Sequence, residues 1–260
     1  MWQALRRKLG NTRRQFAELG PGAALQFKAQ RLRSRLAHRS EPYRLRSRCA
    51  AAPLWVRPGT SDLLVFEQIF VEREYRCLDD LDSAGIVIDC GANVGYSSAY
   101  FLTRFPGSRV IALEPERGNF ECLRRNLLPY AGRVQLLQAA VWSQPGRLVL
   151  ESPEFYGGRE WVYRVREPRA GEQPGIEAVD LGAIWREAGR PAISVLKIDI
   201  EGSEAAVFAA PDQSWLEAVQ NLVIELHSEE CGEVFSRAIE GQGFEVTRCG
   251  ELTVCRRAVS

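Results

Sequence analysis

Apolar and polar positions come in short alternating blocks along most of this chain. "GIVIDC" (85–90), "SRVIALEP" (108–115), "RVQLLQAAV" (133–141), "AISVLKID" (192–199) and "AVQNLVIELH" (218–227) are brief runs rich in Val, Ile and Leu. Runs of that length and composition predict strands buried on both faces. Between them, "SSAYFLTRF" (97–105), "ERGNFECLRRNLL" (116–128), "VDLGAIWREAG" (179–189) and a segment around 203–209 predict helices. Strands alternating with helices imply βαβ units, and so a doubly wound, mostly parallel sheet of the α/β class. "GRLVLES" (146–152) predicts an extra strand, and "FEVTRCGELTVCR" (244–256) a C-terminal antiparallel hairpin turning at Cys-Gly. Residues 152–178, rich in Gly, Pro, Arg and aromatics, read as a long loop.

Composition refines this picture at one end of the chain. The 260 residues are 45% hydrophobic and 26% charged, enough for one α/β domain with an extension. The formal net charge of +1 conceals a division. Residues 1–48 carry thirteen Lys and Arg against Glu18 and Glu41, so the rest of the chain is acidic. The expected organisation is a basic helical N-terminal arm over 1–50 and a second domain over 51–260. Helical periodicity in the arm (Trp2, Leu5, Leu9; Ala29, Leu32, Leu36) is broken by "GPG" at 20–22. A pair of solvated helices fits that pattern. So does a basic amphipathic segment making peripheral contact with an anionic membrane through residues 1–48. Nucleic acid is a weaker partner, because the acidic body would repel it.

No run of eighteen apolar residues exists, and no apolar core of a secretory signal. The seven cysteines are scattered without a CxxC pair, which fits reduced thiols and argues against a zinc site. A cytoplasmic chain is expected, with any membrane contact at the inner face. Oligomeric state is not legible.

In doubly wound sheets ligands sit at the carboxyl ends of the strands, and the charged residues cluster there. "VIDCGANVG" reads D-x-G-x-N-x-G, through Asp89, Gly91, Asn93 and Gly95, rather than the G-x-G-x-x-G of dinucleotide folds. Its glycines permit close backbone approach, although a tight turn would use them equally. The acid suits a ligand with a cationic amino-acid end. Glu114 ends the next strand, nineteen residues after Gly95. There it can accept both ribose hydroxyls of a nucleoside, or merely favour a helix N-terminus. "LKIDIEGSE" (196–204) places charges in an apolar strand. Alternation sets Lys197, Asp199 and Glu201 on one side, emerging where water and ligand reach them, with Leu196, Ile198 and Ile200 on the other. A Lys197–Asp199 ion pair that only fixes the loop is the competing reading. Glu225 and His227 close the set in "VIELH".

"VIDCGANVGYSSAYF", "VIALEPERGNFECLRRNL", "AAV" (139–141) and above all "VLKIDIEGSEAAVF" resemble the FkbM-type S-adenosylmethionine-dependent methyltransferases. The resemblance covers roughly 55–230, including "RPGTSDLLVFEQIFVEREY" (57–75). It implies a class I, Rossmann-like methyltransferase fold, S-adenosylmethionine as donor and transfer of methyl to a hydroxyl. The donor would lie along Gly91–Gly95, with ribose on Glu114 and adenine near Ala140. Thr60-Ser61-Asp62 would help to close its pocket. Asp199 and Glu201, with Lys197, Glu225 and His227, would frame the methyl-transfer site. Either neutral His227 or a carboxylate could be the general base. Asp199 and Glu225 could instead hold Mg²⁺.

The aromatics Phe155, Tyr156, Trp161 and Tyr163, among Arg159, Arg164, Arg166 and Arg169, could form an acceptor lid or only pin the loop. The reading that joins these features is O-methylation of a sugar hydroxyl in a glycan, glycolipid or glycosylated natural product. Two alternatives stand beside it: an RNA methyltransferase using the basic arm, and a non-catalytic membrane-associated protein with a degenerate cofactor fold. No "NPPY"-type tetrapeptide follows the fourth strand, which argues against base N-methylation. The intact acids argue against the degenerate protein.

Overall fold

The computed structural model describes residues 12–36, 41–151 and 163–258. Residues 12–19 are helical (α1), followed by α2 (Pro21–Leu36), the hairpin β1 (Tyr43–Leu45) and β2 (Leu54–Val56), and α3 (Asp62–Phe70). Then come β3 (Ile86–Cys90), α4 (Tyr96–Arg104), β4 (Arg109–Leu113), α5 (Arg117–Leu127), β5 (Val134–Leu137) and β6 (Ala140–Val141). β7 (Gly146–Glu151), β8 (Arg164–Arg166), β9 (Ile176–Val179), α6 (Leu181–Glu187) and β10 (Ile193–Ile198) follow. The chain closes with α7 (Glu204–Phe208), β11 (Asn221–Ile224), α8 (Glu229–Ile239), β12 (Phe244–Cys249) and β13 (Leu252–Arg257).

The central sheet has seven strands in the order β12-β13-β11-β10-β3-β4-β5. From β11 to β5 every pair is parallel, while β13 runs antiparallel between β11 and β12. β3 and β10 are adjacent, yet the chain leaves β3 toward β4 on one side and reaches β11 from β10 on the other. That reversal of strand order opens a crevice at the strand ends, the usual ligand position in such sheets.

Both faces of the sheet are covered because the strands are apolar on both. Val87, Val110, Ala112, Val195 and Val223 point into one core with Tyr96, Tyr100, Phe101 and Leu123. Ile88, Ile111, Leu196, Ile198 and Leu222 point into the other, with Phe208, Trp215 and Phe235.

Three regions depart from the sequence expectation. The run 133–141 is two strands, since β6 leaves the main sheet to pair with β9 in a four-stranded sheet ordered β6-β9-β7-β8. The loop expected over 152–178 contributes β8 and β9 to that sheet, both too short to stand out and the first with arginine at two of its three positions. Phe155, Tyr156, Arg159 and Trp161 lie outside the described residues. The arm is not a solvated appendage. Leu19, Ala24 and Phe27 are buried in the same core as Phe66 and Phe70 of α3, with Phe27 stacked on Phe66 at 5.9 Å between ring centroids.

Phe27→Ala should therefore destabilise the whole domain by about 3 kcal/mol or more, the usual cost of emptying a buried phenylalanine site. Urea unfolding followed by tryptophan fluorescence measures it. A change below about 0.5 kcal/mol would mean the arm folds apart from the domain.

Candidate active site

The crevice is organised by backbone contact between the ends of β3 and β10. Gly91, just past β3, adopts φ +76°, and a Cβ there would stand 1.8 Å from the Asp199 carbonyl oxygen. No side chain fits that space, so the glycine is a geometric necessity. The Gly91 and Ala92 N–H groups both donate to the Leu113 carbonyl, at 3.1 and 2.8 Å, which ties the turn to β4. Gly95, also left-handed (φ +84°), begins α4 and lets it pack closely on Leu123 and Leu127 of α5.

Lys197 locks this junction from below. Its Nζ donates to the Gly91 carbonyl at 2.7 Å and the Cys90 carbonyl at 3.2 Å, and lies 3.3 Å from Asp89 Oδ1 and 3.7 Å from Asp199 Oδ2. Burial alone would lower the ammonium's pKa. The charges of Asp89, Asp199 and Glu74 outweigh it and hold the proton well above the ordinary lysine range. Asp89 also accepts from Ser97 Oγ (2.7 Å) and Ser98 Oγ (2.6 Å) and is fully buried. This corrects two expectations. Lys197 is buried, its side chain 2% exposed, although it contributes to the cavity lining, and Asp89 is fully buried and not among the lining residues. The reason is that the strand continues only to Ile198, so Lys197 is still inside the sheet.

Beyond Ile198 the alternation expected for Asp199 and Glu201 stops. Glu201 is left-handed (φ 54°), as is Gly202 (φ 96°), an uncommon backbone for a non-glycine residue and a frequent sign of a functional turn. The buried Glu204 holds that turn: its Oε1 accepts from the Ile200 and Gly202 N–H groups at 3.4 and 3.2 Å and is paired with His227 Nδ1 at 2.8 Å. The other ring nitrogen of His227 lies 3.7 Å from Asp199, 3.5 Å from Glu201 and 3.8 Å from Glu225.

Crowding sets the protonation of this group. Burial, then the nearby Asp199, pushes Glu201 up to about 7, and the same two causes bring Glu74 to about 7. Burial and Asp199 also raise Glu225. Burial would lower His227, but its bond to Glu204 and the surrounding carboxylates raise it to about 9. That direction favours the imidazolium at neutral pH and weighs against His227 as the expected neutral base.

The cavity above these residues has a volume of about 510 Å³, within the range of small-molecule sites. Its lining brings Gly91, Ala92, Asn93, Glu114, Asn119 and Ala140 together with Asp199, Glu201, Glu225 and His227. Of the expected residues, Gly95 and Asp89 support the wall and the rest line it. Glu114 accepts from the Asn93 N–H and the Glu116 N–H, both at 2.9 Å, one on each carboxylate oxygen. Asn119 Nδ2 stands 3.5 Å from Oε1 as a second donor, so Oε2 keeps the open acceptor position. Burial pushes Glu114 up to about 7 against the pull of those hydrogen bonds.

Thr60-Ser61-Asp62 do not line the cavity. Asp62 is sealed beneath Arg57, which reaches on to Asn119 Oδ1 at 2.8 Å, and the Ser61 carbonyl accepts from the N–H groups of the cavity-lining Leu64 and Val65 at 2.8 and 3.1 Å. Asn119, Glu74 and Glu204 were not singled out from the sequence. Only Glu204 left a signal, as the last acid of "IEGSE" opening a helix.

The methyltransferase FkbM domain profile matches residues 89–246, more than half of the chain. The chain belongs to the FkbM methyltransferase family. Methyltransferase sdnD of Sordaria araneosa is 28% identical over 217 residues, covering 71% of this chain and 82% of sdnD. The 31-O-demethyl-FK506 methyltransferase FkbM of Streptomyces tacrolimicus is 29% identical over 223 residues, covering 74% and 84%. A solved methyltransferase from Geobacter sulfurreducens aligns over 72% of this chain and 77% of its own with 17% identity and a TM-score of 0.41. For the FkbM family the implied donor is S-adenosylmethionine. The residues fit it: a glycine cradle that a Cβ would fill, and a buried acid with acceptor capacity facing the same space.

Among the described residues, Asp199, Glu201 and His227 each offer a possible ligand atom within 4.8 Å of the others, a set with an imidazole where Mg²⁺ favours oxygen ligands. An imidazolium cannot ligate, so any metal there must first displace the His227 proton.

The His227 pKa carries a stability signature. It is raised from 6.5 to about 9 on folding, so its contribution is complete below the unfolded value and is lost as pH rises through the folded one. Denaturant midpoints should show that loss, and Glu204→Gln should flatten it while the imidazole, followed by NMR, titrates lower. A wild-type histidine titrating near 6.5 would contradict the assignment.

Proposed function

We propose that this FkbM-family methyltransferase transfers the methyl group of S-adenosylmethionine to a hydroxyl of a neutral, polyhydroxylated acceptor, a sugar of a glycan, glycolipid or glycosylated natural product. One observation carries the reading. The wall of the cavity that holds the glycine cradle includes Asp199, Glu201, Glu225, Glu74 and Glu251, with His227 and Lys197 among them. Carboxylates accept hydrogen bonds from hydroxyl groups and repel phosphate and carboxylate. The same wall weighs against RNA, whose backbone would have to approach these acids.

The bound donor would supply an electrophilic methyl on its sulfonium. Everything else falls to the chain. Gly91–Asn93 bring backbone against the donor, and Glu114 takes its ribose hydroxyls. Asp199, Glu225 and the His227 imidazolium orient the acceptor oxygen. Glu201, held near neutrality, is the general base, since a base works best when its pKa lies near the working pH. Support for oxygen as the acceptor atom also comes from the printed name of the Streptomyces relative, which refers to an O-demethyl substrate. A second groove of about 590 Å³ adjoins the cavity and shares Leu64, Gln68, Glu74 and Glu251 with it. It gives an extended acceptor room beyond the reacting hydroxyl.

A labelled-methyl screen of glycans, amines and RNA tests the acceptor class, with label on sugar oxygen expected and label on nitrogen contradicting it. For the donor, Glu114→Gln should weaken S-adenosylhomocysteine roughly tenfold or more, the worth of a lost charge-assisted hydrogen bond. Equal calorimetric affinity would remove the ribose role. For the base, kcat/KM should rise as pH passes about 7, the value to which Glu201 is pushed. Glu201→Gln should lower the rate about 10²–10⁴-fold and abolish that limb. A variant that keeps the limb would assign the base elsewhere.

A further inference from the structure

We infer that the outward side of α2 is a docking surface for an anionic membrane. α2 has two working faces. Ala24 and Phe27 are fully buried against the domain, and Gln30 is 8% exposed. On the opposite side Leu25 and Leu32 are 60% and 59% exposed, with exposed Ala29 between them at helical spacing. A large exposed leucine is ordinary singly; a row of apolar residues on the solvent side of a helix already docked by its other face is not.

The surroundings of that row are basic. None of the sixteen residues of α2 is acidic. Arg33 is exposed beside Leu32, while Arg31 is paired with Glu67 of α3 at 2.5 Å and adds no net charge to the rim. Gln26 donates to the Arg44 carbonyl at 2.7 Å, which places exposed Arg44 along one flank. The Arg44 and Arg125 guanidinium groups both lie over the Trp55 ring, at 5.2 and 4.8 Å, extending the basic rim onto α5. At the start of α2, Arg48 donates to the Ala17 carbonyl.

An apolar row rimmed by arginines is the arrangement by which helices rest in a lipid headgroup layer. The charge decides between occupants. A second copy of the chain would bring two arginine rims together. Nucleic acid would satisfy the arginines but gain nothing from covering the leucines. An anionic lipid surface satisfies both. The arm also reaches the second groove, where Arg14 of α1 stands in the wall.

The test is cosedimentation of the full chain with vesicles of phosphatidylcholine alone or with about 30 mol% phosphatidylglycerol. Binding is expected on the anionic vesicles, falling roughly tenfold in Leu25→Gln/Leu32→Gln, in Arg33→Gln to a smaller extent, and at high salt. Circular dichroism and the melting temperature of these surface variants should match wild type. The proposal fails if anionic vesicles do not bind, or if the leucine variant binds them equally. It also fails if that variant converts a dimer to a monomer in sedimentation, or if RNA binds through the arginines regardless of the leucines. Tighter vesicle binding on deletion of residues 1–11 would overturn it too, by making that segment the occupant.

Discussion

The site depends on one crowded junction, where the backbone of Gly91 meets the carbonyl of Asp199 and the Lys197 ammonium bonds the carbonyls on the β3 side. Burying a lysine is costly unless its charge is met. Here Asp89 meets it inside the sheet, and two serines of α4 satisfy that acid in turn. The ends of β3 and β10 are thereby fixed relative to each other. The glycine turn and the acids beyond β10 then line one cavity, with Lys197 contributing to its lining and Asp89 buried behind it.

From that junction the electrostatics follow. Asp199, Glu201, Glu225 and Glu74 share a small volume, and the cations among them are Lys197, Arg164 and His227. Acids so close cannot all ionise at ordinary pKa. Glu201 and Glu74 move up to about 7, and His227 to about 9. A carboxyl with a pKa near 7 is ionised in a good part of the molecules at neutral pH, and that ionised form can accept a hydroxyl proton beside the imidazolium. The left-handed Glu201–Gly202 turn that presents it is held by Glu204 from below.

Much of this was legible in the sequence, because β-branched runs ending in Asp, Glu or Gly mark strand mouths. The five parallel strands, the glycine turn, Glu114 and the acids of "KIDIEGSE" all followed from that rule. What failed did so for identifiable reasons. Period-two alternation assumed that the strand ran through Glu201, whereas it stops at Ile198, so Lys197 was placed in water when it is buried. Asp89 looked like a ligand acid because its partner lies 108 positions away, at Lys197. Asn119 and Glu74 reach the cavity through tertiary packing alone. β8 and β9 are too short to carry a pattern. The arm's arginines drew attention from Phe27, whose burial against Phe66 joins the arm to the domain.

The account therefore rests on the cavity at the β3–β10 junction being the donor site. Calorimetric titration with S-adenosylhomocysteine of wild type, Gly91→Ala and Gly107→Ala addresses this directly, since Gly107 has open space where a Cβ would go. Binding is expected in wild type and Gly107→Ala and lost in Gly91→Ala. Equal binding by all three, or none by wild type, would contradict it.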